Sequence, residues 1–323
     1  MKNIQADIKS GNFKQVYLLY GEEAYLKQQY KQNLVKALNP DGDTMNFNHY
    51  EGKGIDVKQL IDLCETMPFF AERRVVLLED TGFFKNKCEE LADYMKELPD
   101  YLYLVFAETE VDKRNRMYKA VKACGSIAEF IRQDERTLMR WAAGILGKAG
   151  KKITQRDMEL LLTKTGTDMG NLRMEMEKLI SYTEGRDVVT AEDIEEICTT
   201  QTTNRIFDMV RAVTEKNQKR ALELYYDLLT LKEPPMRILF LLAKQYRQLL
   251  LAKQFAAAGL AQTEIASKLG VPGFVVRNIT TCARAYTISE LEQAVKDFVD
   301  AEESVKTGRL EDKLSVELLI IKY

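Results

Sequence analysis

Residues 16–28 read Val16-Tyr17-Leu18-Leu19-Tyr20-Gly21-Glu22-Glu23-Ala24-Tyr25-Leu26-Lys27-Gln28. An unbroken apolar and aromatic run, without polar alternation, predicts a strand covered on both faces. Gly21 then supplies a turn, and a helix is expected over residues 22–38, stopped by Asn39-Pro40. The same rhythm continues downstream. Strands are expected at 45–50, 75–78 (VVLL), 101–106 (YLYLVF) and 127–131, with helices at 56–65, 86–98 and 112–123 between them. Strands alternating with helices imply a parallel sheet with helices on both faces.

A strand, a glycine and a helix also invite a test for a phosphate-binding loop of the form GxxxxGK[ST]. Gly21 and Lys27 fall on the pattern, but Leu26 occupies the second glycine position and Gln28 the hydroxyl position. Without that glycine the backbone does not readily aim several N–H groups at a phosphate, and Gln28 is no hydroxyl ligand for Mg²⁺. Glu22 and Glu23 complement the helix dipole themselves and repel a triphosphate. Glu79-Asp80, after the VVLL strand, resembles the acidic pair of a nucleotide hydrolase only weakly. These residues favour a structural turn over nucleotide chemistry.

Composition narrows the remaining chemistry. Among 323 residues the chain has 47 Lys and Arg against 49 Asp and Glu, so its formal charge is −2. Residues 1–140 carry 21 basic and 23 acidic side chains and residues 141–323 carry 26 of each, so neither portion is a basic DNA-binding module by composition. His49 is the single histidine, at the end of an expected strand, and a structural role is expected for it. Cys64, Cys88, Cys124, Cys198 and Cys282 are dispersed without a CxxC pair, which argues against a zinc site and suits a reducing compartment. No long apolar segment suggests a membrane span or a signal peptide, so a cytoplasmic protein is expected.

From about residue 134 the pattern becomes helical, and no strand is expected beyond that point. Leu172, Met176, Leu179 and Ile180 share one helix face, and Thr190 with Asp193 looks like a helix start. The polar run Thr199-Thr200-Gln201-Thr202-Thr203 reads as a hinge, followed by helices to the end of the chain. Three domains are expected: α/β over 1–140, a small helical domain over 141–207 and a larger helical domain over 208–323.

Three further stretches stand out. In Met67-Pro68-Phe69-Phe70-Ala71-Glu72-Arg73-Arg74, proline ends the preceding helix and adjacent phenylalanines point in different directions. That suits an exposed apolar tip with a polar rim, an anchor for a partner. A loop folded back on its own core is the other reading, and these residues alone favour it. Gln262–Leu269, Gly270 and the segment after it resemble a helix-turn-helix. The second helix is mainly apolar, with Arg277 and Arg284 its only cations, so packing is favoured over DNA reading. Arg237, Lys244 and Arg247 read as a solvated face, with a DNA-facing face the alternative, and Lys306-Thr307-Gly308-Arg309 as a helix end.

Taken in order, these motifs resemble the delta subunit of bacterial DNA polymerase III, the clamp-opening subunit of the sliding-clamp loader. The resemblance rests on 16–26 with its degenerate loop, on Met67-Pro68-Phe69-Phe70-Ala71 before Arg73-Arg74-Val75-Val76-Leu77-Leu78, and on Asn171-Leu172-Arg173 with Glu175 and Glu177-Lys178-Leu179. Ile265-Ala266, Leu269-Gly270-Val271-Pro272, Phe274-Val275-Val276 and Lys306-Thr307-Gly308 complete it. The resemblance implies an AAA+-like α/β domain without a functional phosphate loop, a helical lid and a helical collar. It implies that Met67, Pro68, Phe69 and Phe70 bind the β sliding clamp, and that the chain has no catalytic, nucleotide-binding or metal residues and no cofactor. The implied partners are the clamp, the gamma/tau and delta prime loader subunits in a heteropentamer, and primed DNA held through the assembly. The chain would be a non-catalytic subunit of a DNA-directed DNA polymerase holoenzyme, a nucleotidyltransferase. An ATP-hydrolysing AAA+ protein and a helix-turn-helix DNA-binding regulator stand as the alternatives.

Overall fold

The computed structural model describes residues 2–199, 202–271 and 273–323. These divide into two units, Met1–Gln133 and Asp134–Tyr323. Of the hinge run, Thr200 and Gln201 lie outside the described residues, as does Pro272 of the turn near the C-terminus.

The first unit runs α1 (Lys2–Ser10), β1 (Val16–Tyr20), α2 (Ala24–Leu38), β2 (Phe47–Glu51), α3 (Val57–Cys64), β3 (Arg74–Glu79), α4 (Glu89–Tyr94), β4 (Leu102–Glu108), α5 (Arg116–Cys124) and β5 (Ser126–Glu129). The strands form one parallel sheet in the order β2-β3-β4-β1-β5. Alternation along each strand explains why the runs are apolar throughout. Val16, Leu18, Val76, Leu78, Leu104 and Phe106 pack with Leu60 and Cys64 of α3, Leu91 of α4 and Met117 and Val121 of α5. Tyr17, Leu19, Val75, Leu77 and Val105 face the other way, onto Ile4 of α1 and Leu34 and Leu38 of α2. Each central strand thus feeds two cores. The expected α/β class and its parallel sheet are met. Helix α1 was not anticipated, and α4 is shorter than the 86–98 stretch that suggested it.

The second unit runs α6 (Glu135–Lys148), β6 (Lys152–Ile153), α7 (Gln155–Thr165), α8 (Met169–Tyr182), β7 (Val188–Val189), α9 (Ala191–Ile197), α10 (Thr202–Thr214), α11 (Gln218–Thr230), α12 (Pro235–Ala257), α13 (Gln262–Leu269), α14 (Gly273–Ala283), α15 (Ile288–Lys306) and α16 (Asp312–Lys322). The expectation of no strand here is corrected by β6 and β7, two residues each, paired in parallel. So short a ribbon leaves no periodic signal in a sequence. Leu172, Met176 and Leu179 are buried along α8 as the spacing predicts. From α10 to α16 one continuous core gathers around the long α12, with Ile238, Leu242, Tyr246 and Leu249 on its inner face.

Thr190 and Asp193 form a reciprocal capping box at the start of α9. Thr190→Ala is expected to cost about 1 kcal/mol, read as a lower denaturant midpoint.

Candidate functional site

Two of the stretches singled out by the sequence fall at opposite ends of the five-stranded sheet. At the C-terminal ends of β1, β3 and β4, where open parallel sheets commonly bind ligands, lies the degenerate phosphate loop. Gly21 has φ +125°, and a Cβ placed on it would stand 2.3 Å from the Phe130 carbonyl oxygen. The Glu23 N–H donates to that same oxygen at 3.0 Å, and the Phe130 N–H donates to the Tyr20 carbonyl at 2.7 Å. The glycine therefore serves a close approach between two backbone segments.

Neighbouring polar groups are likewise engaged. Lys27 donates through Nζ to the Glu108 carbonyl at 3.0 Å and to Thr109 Oγ1 at 3.4 Å. Burial pulls the Lys27 pKa below its ordinary value, against the pull of Asp80, Glu108 and Glu79. Leu26 packs against the core of α1 and α2. Glu79 accepts from Lys31 at 2.6 Å and lies 2.9 Å from His49 Nε2, which gives the histidine a structural contact. Asp80, with φ +46°, accepts from the Thr109 N–H at 2.9 Å. Sequence reading missed Glu108. Its buried carboxylate accepts from the Thr81 N–H at 3.1 Å and the Thr81 hydroxyl at 2.5 Å. Burial pushes its pKa up, opposed by these donors and by the Gly82 N–H. Its place at the end of a strand longer than the apolar run concealed it. We expect neither the chain nor its Lys27→Ala variant to take up ATP in equilibrium dialysis. Uptake lost on substitution would show a working nucleotide site.

At the N-terminal end of β3 the apolar tip stands out. Met67 is 74% exposed, Phe69 57% and Phe70 95%. The fold-back reading is thereby corrected: Pro68 and the strand entry at Arg74 leave no path for both rings into the core. The rings of Phe69 and Phe70 meet edge to face, with centroids 4.5 Å apart at 82°. Phe70 has φ +52°, a left-handed conformation uncommon for a residue with a bulky side chain.

Side chains beneath the tip hold its backbone. Arg74, expected on a polar rim, is instead 5% exposed and faces inward at the start of β3. Its Nε donates to the Thr66 carbonyl at 2.8 Å, with further bonds to the Met67 carbonyl at 3.3 Å and Asn48 Oδ1 at 3.1 Å. Burying a guanidinium requires such partners, and here they are two of the loop's own carbonyls and the Asn48 carboxamide of β2. Arg73 lies over the rings of Phe13 and Tyr103, at 5.3 and 5.4 Å from their centroids. Asn46, which the sequence reading passed over, bonds the Phe69 peptide through both ends of its carboxamide.

The helix-turn-helix look-alike is real in outline, with α13, Gly270 at φ +64° and α14. However, Ile265, Val276, Ile279 and Cys282 are buried in the core around α12, and Arg277 lies 3.6 Å from Glu159 of α7. On α12, Arg237 pairs with Glu233 at 3.1 Å, while Lys244 and Arg247 are exposed. Gly308 has φ +73° beyond the end of α15, and Arg309 bonds back to Glu303 at 2.7 Å. Among the described residues, no helix is long and apolar enough to cross a membrane. No group of three His, Cys, Asp or Glu among them could hold a metal ion.

Residues 17–130 match the family model for the DNA polymerase III delta subunit, and residues 203–323 match that for its C-terminal domain. The DNA polymerase III subunit delta of Bacillus subtilis is 26% identical over 333 residues, covering 99% of this chain and 96% of the relative. The probable subunit delta of Aquifex aeolicus is 22% identical over 270 residues, 79% of this chain and 75% of the relative. The solved Bacillus subtilis DNA clamp loader delta protein superposes with a TM-score of 0.67 at 24% identity, covering 99% of this chain and 98% of that one.

Proposed function

Because the chain belongs to the DNA polymerase III delta-subunit family, we propose that this clamp-loader subunit binds the β sliding clamp through Met67, Pro68, Phe69 and Phe70 and holds it open. The observation that carries this reading is the exposed, internally braced apolar tip at the N-terminal end of β3. Large apolar side chains at a projecting loop are what a partner's hydrophobic pocket buries.

Opening a ring needs no chemistry from the protein that holds it. A subunit that binds the open clamp more tightly than the closed one shifts the population toward open, by no more than that difference in affinity. The two phenylalanines supply the grip, and the surrounding face of the α/β unit would supply the preference for the open geometry. ATP turnover would belong to partner subunits, since Lys27, Glu79 and Asp80 are committed to contacts within this chain.

The second unit supports assembly with gamma/tau and delta prime subunits. We assign residues 141–207 to a lid and 208–323 to a collar. On α16, Leu314, Leu318 and Ile321 are exposed at helical spacing, an apolar stripe suited to packing against a neighbouring helix. Primed DNA would be held by the assembled loader, which works in the cytoplasm. The test is equilibrium titration of the chain against β clamp, with and without the Phe69→Ala, Phe70→Ala pair. Unchanged affinity in the double variant rejects the reading.

A further inference from the structure

We propose that Asn46 is a positioning residue for the apolar tip, its carboxamide setting Phe69 and Phe70 in the orientation that a partner pocket receives. The proposal rests on the clamp-binding reading above. Asn46 stands 23 residues before Phe69 in the chain and is 4% exposed. Its Oδ1 accepts from the Phe69 N–H at 2.6 Å, and its Nδ2 donates to the Phe69 carbonyl at 2.9 Å. One side chain thus satisfies both polar groups of the residue, as a paired strand would.

Asn46 is itself fixed. Its backbone carbonyl accepts from the Val75 N–H at 2.9 Å, tying it to β3. Asp43 accepts a bond from the same Nδ2, which sets the carboxamide's orientation: the oxygen is turned to the Phe69 N–H. Asp43 in turn accepts from the Met45 N–H at 2.7 Å and donates its own N–H to Asn39 Oδ1 at 2.9 Å. A braced chain of side chains therefore runs from the end of α2 to the tip.

The consequence falls on Phe70. Its φ of +52° is a conformation that a residue bearing a Cβ abandons readily unless its neighbours hold it. Clamping the preceding peptide removes that freedom. A tip ordered before contact loses less entropy when it binds, so affinity rises without any contact between Asn46 and the partner.

The full chain is titrated against β clamp as wild type, Asn46→Ala, Phe70→Leu, the Asn46→Ala, Phe70→Leu pair, and Phe70→Ala. We expect Asn46→Ala to weaken binding about tenfold, about 1.4 kcal/mol, with both rings still present. In the Phe70→Leu background the same change should cost much less, because its effect passes through Phe70. Equal losses in the two backgrounds overturn the proposal. Wild-type affinity in Asn46→Ala, alongside lost binding in Phe70→Ala, overturns it while leaving the clamp-binding reading intact. If Phe70→Ala binds normally, that reading itself fails, and this inference with it. Hydrogen exchange on the unmodified chain keeps the question open to test if Asn46→Ala does not fold: the Phe69 amide should exchange more slowly than the Phe70 amide, and equal rates overturn the proposal.

Discussion

Replacing Phe69 and Phe70 together by alanine is expected to weaken clamp binding by about a hundredfold or more while leaving the fold intact. Fully burying one phenylalanine contributes about 1.5–3 kcal/mol, and each decade of affinity is about 1.4 kcal/mol. Phe70 is 95% exposed, so nearly all its apolar surface is available to a partner. Phe69 is already part-covered and contributes less. Interface area converts incompletely to affinity, because ordering costs offset it, which sets the lower figure. The same exposure predicts the control. Neither ring fills the protein's own core, so the thermal midpoint should move by no more than about 2 °C. A titration and a melt on one preparation check both halves. A large drop in the midpoint would mean that the rings act in the fold.

Gly21→Ala should do the reverse, damaging the fold rather than the grip. The added Cβ would meet the Phe130 carbonyl oxygen at 2.3 Å and the Phe130 backbone N and carbonyl C at 2.9 Å. These are backbone atoms of the segment leaving β5, so no side-chain rotation relieves the contact. The residue also holds φ +125°, which L side chains rarely adopt. Relief requires β1 and the residues after β5 to part, at the expense of the bond from the Glu23 N–H to Phe130. A destabilisation of about 3 kcal/mol or more is expected, visible as a lower unfolding midpoint. Were Gly21 part of a working phosphate loop, alanine would chiefly abolish nucleotide binding. Normal stability in the variant would show that the backbone yields at this turn.

Much of the layout was legible because it depends on neighbours in the chain. Val16–Tyr20 and Val75–Leu78 declare buried strands through unbroken apolar runs, and Leu172, Met176 and Leu179 declare a buried helix face through spacing. The absence of a second glycine and a hydroxyl at Leu26 and Gln28 was equally plain, since that chemistry needs fixed residue types at fixed spacing. The two-residue strands β6 and β7 were not legible, because two residues carry no period. Glu108 escaped for a related reason: the apolar run suggested that its strand ended at 106, and only the sheet shows it continuing.

The candidate site divides along the same line. Residue types alone establish that positions 67–70 are apolar, interrupted by proline and placed before a central strand. They establish equally that His49 and the scattered cysteines have no partners at short spacing with which to build a metal or hydrolytic centre. Whether those rings are core or surface is settled by the folded chain, because burial depends on what other segments place around them. Folding also turns Arg74 inward to hold the Thr66 and Met67 carbonyls rather than leaving it on a rim. It also brought Asn46 to Phe69, through the pairing of β2 with β3. Periodicity and residue type are local properties of a chain. Exposure, close backbone approach and two-point hydrogen bonding between distant residues come into being only when the sheet closes.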